Sequence, residues 1–150
     1  MLYALLLAGG KSSRMGRDKS ALVFHGQSLL EHAVGLLQRC GADEVLISGD
    51  VPGYASIRDL VPGCGPPGGI HAALHHMDDR KLLGGSLLLV IPVDMPLLDE
   101  TTISRLVSAI GEADSCHYAG EVFPCLFRAS RTLMDTLDGL FAESTELDLI

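Results

Sequence analysis

Apolar positions along the chain follow two different periods, and the alternation between them predicts its elements. Leu2–Leu7 is an almost unbroken apolar run, as expected for a strand covered on both faces within a parallel sheet. From Ser28 to Arg39 the spacing becomes helical, with Leu29, Leu30, Ala33, Val34, Leu36 and Leu37 on one face. Ser28 and Glu31 form a capping box at its start, and Gly41 ends it. Strands are predicted at Val45–Ser48 and, briefly, at Ser56–Leu60. Val61–Gly69 is rich in glycine and proline and reads as a shaped loop. A helix over Ile70–Met77 follows, and then a buried strand, Ser86–Ile91, ended by Pro92 and Pro96. Glu100–Ile110 reads as a helix preceded by a capping Asp99. Ser115–Tyr118 and Val122–Phe127 read as a strand pair turning at Ala119-Gly120. Leu133, Met134, Leu137, Leu140 and Phe141 mark a last helix.

Strand–helix alternation with buried strands predicts a three-layer α/β/α arrangement, Rossmann-like, around an open, mostly parallel sheet. The length of 150 residues suits one domain. Ligands of such sheets bind beyond the carboxyl ends of the strands. Leu2–Leu7 and Ser86–Ile91 both end at that rim, the first at a glycine-rich turn and the second at Pro92-Val93-Asp94-Met95-Pro96.

Charge changes this picture locally. The net charge is −8, yet Leu5–Leu22 gathers Lys11, Arg14, Arg17 and Lys19 against a single acid, Asp18. An acidic chain with one confined basic stretch fits a small anion better than a nucleic acid, which would need a broad basic face. Backbone N–H groups from Ala8 to Lys11 can form an anion-binding nest, since glycine allows both the dihedrals and the close approach. A Walker A loop is excluded because Leu5 stands where its first glycine would be, and G-x-G-x-x-G has no match. Asp94, held between two prolines, is a plausible Mg²⁺ ligand, because Mg²⁺ commonly takes one or two carboxylates together with substrate phosphates.

The four cysteines form no C-x-x-C pair, which fits a reducing, cytoplasmic setting. No basic residues precede the first apolar run, so it reads as a strand and not a targeting segment. No run approaches the ~20 apolar residues of a membrane span. His71 and His75 have the i, i+4 spacing of zincin-type sites but lack the intervening glutamate, so they read as helix-surface histidines and not a catalytic zinc site. Cys116 and His117 are assigned to a strand, and Met77 and Met134 to the core.

Leu7-Ala8-Gly9-Gly10, Ser13-Arg14-Met15-Gly16 and Asp18-Lys19 together resemble the signature of the small nucleotidyltransferases. Pro62-Gly63, Gly65-Pro66-Pro67-Gly68-Gly69-Ile70 and Pro92-Val93-Asp94-Met95-Pro96 are similar to those of its molybdenum cofactor guanylyltransferase branch. The resemblance covers about residues 2 to 128. It implies GTP and the molybdopterin cofactor as substrates, Mg²⁺ as the metal, a monomer, and contact with molybdoenzymes or cofactor-delivery proteins. It also implies roles for individual residues. Leu7, Ala8, Gly9 and Gly10 would hold the nucleotide, Arg14 and Lys19 would face its phosphates, and Asp94 would bind Mg²⁺. Ser48 and Asp59 would contact the nucleotide.

Ser48 stands where the family usually has asparagine, and Pro67 where it generally has leucine. Family members continue past the position of Ile150 into a further strand and an N-x-N-T-P segment, so the nucleotidyltransferase domain read over 1–150 is short at its carboxyl end. Three activities stay open at this point: guanylyl transfer, a related cytidylyl or nucleotide-sugar transfer, and non-catalytic nucleotide or cofactor binding.

Overall fold

The computed structural model describes residues 1–8, 23–51, 53–54 and 56–148. Eight strands and four helices are traced among them. They are β1 (Leu2–Leu7), β2 (Val23–Phe24), β3 (Gln27–Ser28), α1 (Leu29–Arg39), β4 (Glu44–Ser48), β5 (Ser56–Ile57), α2 (Pro66–Asp79), β6 (Ser86–Pro92), α3 (Glu100–Ala109), β7 (Ser115–His117), β8 (Cys125–Ala129) and α4 (Arg131–Asp148). Six of the strands form one sheet in the order β5-β4-β1-β6-β8-β7. Pairing is parallel from β5 through β6, and β8 runs antiparallel to both of its neighbours. The expected open, mostly parallel α/β architecture is present.

Alternation along the central strands sorts the core into two layers. Ala4 and Leu6 of β1, with Leu89 and Ile91 of β6, pack under α1 and α3, where they meet Leu30, Leu37, Ile103 and Leu106. Tyr3, Leu5, Leu88 and Val90 point to the other face, against Ala73, Leu74 and Met77 of α2 and Met134 of α4. Both faces are covered, which is why these strands carry almost no polar residue.

The chain order also locates a crevice. From β1 the chain builds outward through β4 and β5, and α2 then carries it back across to β6 on the other side of β1. This reversal places the switch point at the carboxyl end of β1, where ligands of such sheets bind.

Helix α1 begins and ends as expected. Ser28 Oγ accepts from the Glu31 amide at 3.0 Å and donates to Glu31 Oε1 at 3.2 Å. At the other end Ala42 N–H reaches the Leu37 carbonyl at 3.2 Å, with Gly41 at φ 86°. Asp99 caps α3, and hydrogen bonds from the Thr102 hydroxyl and amide hold its carboxyl below the usual carboxylate range. Met77 and Met134 are buried. Burial pushes the Cys125 thiol up to about 11, helped by the nearby Cys116, and all four cysteines are free.

The structure departs from the sequence reading at three element boundaries, in one additional hairpin and at one position of the last helix. Helix α2 starts at Pro66 rather than Ile70, because proline suits the first helical position, where its missing N–H has no intrahelical partner. The third strand stops at Ile57 rather than Leu60, since Asp59 turns instead toward Ser48. The last strand begins at Cys125 rather than Val122. Val122 is exposed, and Pro124 has no N–H to give to a ladder. Val23–Ser28 forms a small hairpin that periodicity did not reveal. Its turn residues, His25 and Gly26, have φ of 51° and 79°, as a two-residue hairpin turn of the primed type requires. Leu140 is exposed, whereas Phe141 of the same predicted stripe is buried.

The histidines of α2 are also placed differently from the expectation. His71 is 4% exposed and packs against α4, so it is a core residue and not a surface one. Among the described residues, no helix is long and apolar enough to cross a membrane.

Candidate active site

Three strand ends meet at the rim. Leu7 of β1 is in register with Ser48 of β4 on one side and with Pro92 of β6 on the other. The ladder continues one step further, because Ala8 N–H donates to the Ser48 carbonyl at 3.0 Å and Val93 N–H to the Leu7 carbonyl at 3.1 Å. The segments that leave these strands are therefore rooted in the sheet itself. Asp94 follows two residues after Pro92, in an exposed turn.

Ser48 is the polar member of this floor and is 8% exposed. Its hydroxyl donates to Asp59 Oδ1 at 3.4 Å, a long bond that tethers the segment after β5 to the end of β4. The first turn of α2 sits on the same pair. A Cβ built on Gly69 would stand 2.9 Å from Ser48 Oγ and 3.0 Å from Leu7 Cδ2. One on Gly68 would lie 3.0 Å from Asp59 Oδ2 and 3.3 Å from Cys64 Cβ. The two glycines thus let the helix start approach Leu7, Ser48 and Asp59 closely.

That helix start is unusual in its cap. Gly65 occupies the N-cap position at φ 65° and ψ −150°, a conformation accessible essentially only to glycine. No side chain caps the helix. Pro66 and Pro67 bring no N–H and the Gly68 N–H is taken by the Gly65 carbonyl at 3.0 Å, so what this helix start offers the rim is the positive end of its dipole, a favourable setting for an anion.

Of the sequence-predicted residues, the structure brings together Leu7, Ala8, Ser48 and Asp59, and it places the turn with Asp94 on the same rim. Gly9, Gly10, Arg14 and Lys19 lie outside the described residues, as does the whole basic stretch from Lys11 to Lys19.

A sequence profile for the MobA-like NTP transferase domain matches residues 4–149. The chain belongs to the MobA-like NTP transferase family. It is 37% identical over 138 residues to a molybdenum cofactor guanylyltransferase of Xanthomonas euvesicatoria, covering 92% of this chain and 70% of that protein. A molybdenum cofactor guanylyltransferase of Rhizobium meliloti is 38% identical over 145 residues, covering 90% and 66% respectively. The chain thus spans about two thirds of the length of the curated relatives it matches. A solved MobA-like fold, molybdopterin-guanine dinucleotide biosynthesis protein A from Archaeoglobus fulgidus, superposes with a TM-score of 0.67 at 22% identity, covering 95% of this chain and 74% of that one. The resemblance carried by the three motifs holds, and so does the fold it implied.

The MobA-like motifs do not include one residue that the structure ties to the rim. His32, on α1, has its Nε2 3.0 Å from the Pro96 carbonyl, and so braces the far side of the turn that bears Asp94. A single histidine in an amphipathic helix carries no signal for such a role. Only the crossing of α1 beneath the turn reveals it.

Proposed function

We propose that the chain transfers GMP from GTP to the terminal phosphate of the molybdenum–molybdopterin cofactor and releases pyrophosphate, acting in the cytoplasm. The observation that carries this reading is the convergence of Leu7, Ser48 and Pro92 in one register at the switch point, beneath an uncapped helix start. Family membership supplies the reaction class, and the names of the curated relatives point to the base and the acceptor.

In this reading an oxygen of the cofactor's phosphate attacks the α-phosphorus of GTP in line, and the bond to the β-phosphate bridging oxygen breaks. Both partners are anions, so the protein's contribution is orientation and charge stabilisation; no side chain need act as a nucleophile. Leu7 and Ala8 present backbone groups along the nucleotide. Ser48, Asp59 and the first turn of α2 form the wall that meets the base. Arg14 can fork onto the departing pyrophosphate, and Lys19 can act as a point charge near the transferred phosphate.

Asp94 is an exposed carboxylate in a turn bounded by two prolines, which fits a hard cation that takes its remaining ligands from phosphates and water. Mg²⁺ bound there would supply charge neutralisation at the phosphates. The carboxylate's part is to hold that charge at the rim.

The test compares GTP, CTP, ATP and UTP, each with Mg²⁺, as stabilisers against thermal melting, followed by pyrophosphate release with molybdopterin as acceptor. GTP is expected to raise the melting temperature most and to yield pyrophosphate. Protection by CTP alone would overturn the guanylyl assignment. GTP binding without pyrophosphate release would reduce the chain to a nucleotide carrier.

A further inference from the structure

A second polar cluster lies between α2 and α4. His71 and His75 stand one helical turn apart on α2, and Asp138 faces both from α4. Asp138 Oδ1 is 2.6 Å from His71 Nε2 and 2.7 Å from His75 Nε2. The two imidazoles meet edge to face with centroids 4.7 Å apart, and Phe141 meets the His71 ring at 4.8 Å. Side-chain exposure rises from 5% at His71 to 32% at His75 and 42% at Asp138, so the cluster is rooted in the core and opens toward solvent. Hydrogen bonds from His75 and His71 hold the Asp138 carboxyl below its ordinary range.

We propose that His71, His75 and Asp138 form a binding site for a divalent transition-metal ion of the zinc class, which pins α4 to α2. Two imidazole nitrogens and one carboxylate oxygen come within 4.8 Å of one another. This donor set suits Zn²⁺, Ni²⁺ or Cu²⁺, whereas Mg²⁺ and Ca²⁺ prefer all-oxygen surroundings.

Among the described residues the His71 Nδ1 is buried without a hydrogen-bond partner, so Nε2 is the nitrogen this ring turns toward Asp138 and the ion. Ligand atoms at about 2.0–2.2 Å from a tetrahedral zinc lie roughly 3.4 Å apart, so the present contacts must open by about 0.7 Å. The two more exposed members, His75 and Asp138, can supply that movement while His71 stays in the core. A solvent molecule completes the shell. With no glutamate between the histidines the site has no general base of the zincin kind, which makes it a clamp and not a second catalytic centre.

The clamp has a built-in weakness. Ligation through Nε2 moves the His71 proton to Nδ1, where no acceptor awaits it. Metal-bound histidines normally donate that proton to a neighbour, so binding is weaker than at a fully supported structural zinc site.

The experiment uses the untagged chain with Zn²⁺ alone as the probe, in excess Mg²⁺ so that rim carboxylates do not compete. Calorimetry is expected to show one Zn²⁺ per chain and a Zn²⁺-dependent rise in melting temperature. His75→Gln and Asp138→Asn should each weaken binding by more than about a hundredfold, beyond the roughly 10–100-fold that loss of an outer partner costs. Both should keep the far-UV circular dichroism and the GTP response of the parent, which separates this outcome from any failure of the transferase reading. Unchanged Zn²⁺ binding in both variants, or none in the parent, would leave only a hydrogen-bonded helix contact. A readout without mutation guards against misfolded variants. In the long-range ¹H–¹⁵N spectrum of the parent chain, Zn²⁺ should move the Nε2 resonances of His71 and His75 among the six histidines, and unmoved resonances would overturn the proposal.

Discussion

Helices α1 and α2 lie on opposite faces of the same sheet and begin in opposite ways. The amino end of α1 is closed by its own sequence, since Ser28 accepts from the Glu31 amide and its hydroxyl donates back to the glutamate. The amino end of α2 is left open. Gly65 can cap nothing, Pro66 and Pro67 remove two N–H groups, and Gly68 and Gly69 shrink the first turn until it rests on Asp59, Ser48 and Leu7. Closing a helix with a side chain typically adds about 1 kcal/mol of stability. Leaving it without a capping side chain forgoes that stabilisation and turns the positive end of the helix dipole, not a set of free donors, toward the rim. The difference separates a helix start that serves the fold from one that serves a ligand.

Substitutions on the two sides should therefore divide between function and stability. The largest effect is expected from Asp94→Ala, on the open rim. Turnover should fall by about three orders of magnitude, as several kcal/mol of charge stabilisation are lost, while the circular dichroism spectrum and melting temperature stay those of the parent. Retained Mg²⁺-dependent pyrophosphate release would remove Asp94 from the site.

Gly69→Ala comes next. The added methyl must push Ser48 Oγ and Leu7 Cδ2 aside, both ends of side chains that can give way, and alanine regains up to about 1 kcal/mol of helix propensity. Stability should hardly change, whereas GTP affinity, measured by calorimetry, should drop roughly tenfold as the wall of the site shifts. A variant that melts early but binds GTP normally would show the close approach to be packing alone.

The smallest effect belongs to the closed helix. Ser28→Ala should cost about 1 kcal/mol, a fall of roughly 2–4 °C in melting temperature for a chain of this size, with GTP affinity of the folded protein unchanged. Any loss of nucleotide affinity there would erase the distinction between the two helix starts.

The same contrast explains what could be read in advance. Helix α1, the cap at Asp99 and the strands β1 and β6 were legible because their determinants are local: a capping side chain, a 3.6-residue period, an unbroken apolar run. The start of α2 was misplaced by four residues because its glycines and prolines carry loop signals, and what makes them helical is contact with β4 and with the segment after β5. The candidate site was visible as motifs. Their convergence came from the strand order: Leu7, Ser48 and Asp59 meet through β1, β4 and the segment after β5, and Pro92 with its Asp94 turn joins them only once α2 has carried the chain back across the sheet. His71 reads as a surface residue in the sequence for a related reason. Its burial depends on α4, more than sixty residues downstream, and no helical period within α2 reports a partner that distant.

The brace from His32 to the Pro96 carbonyl has a property that follows from polarity alone. A carbonyl can only accept, so the imidazole must donate, and Nε2–H remains a donor whether the ring carries one proton or two. The bond therefore fixes which ring nitrogen carries the proton, so the turn bearing Asp94 sets the tautomer of the very residue that braces it.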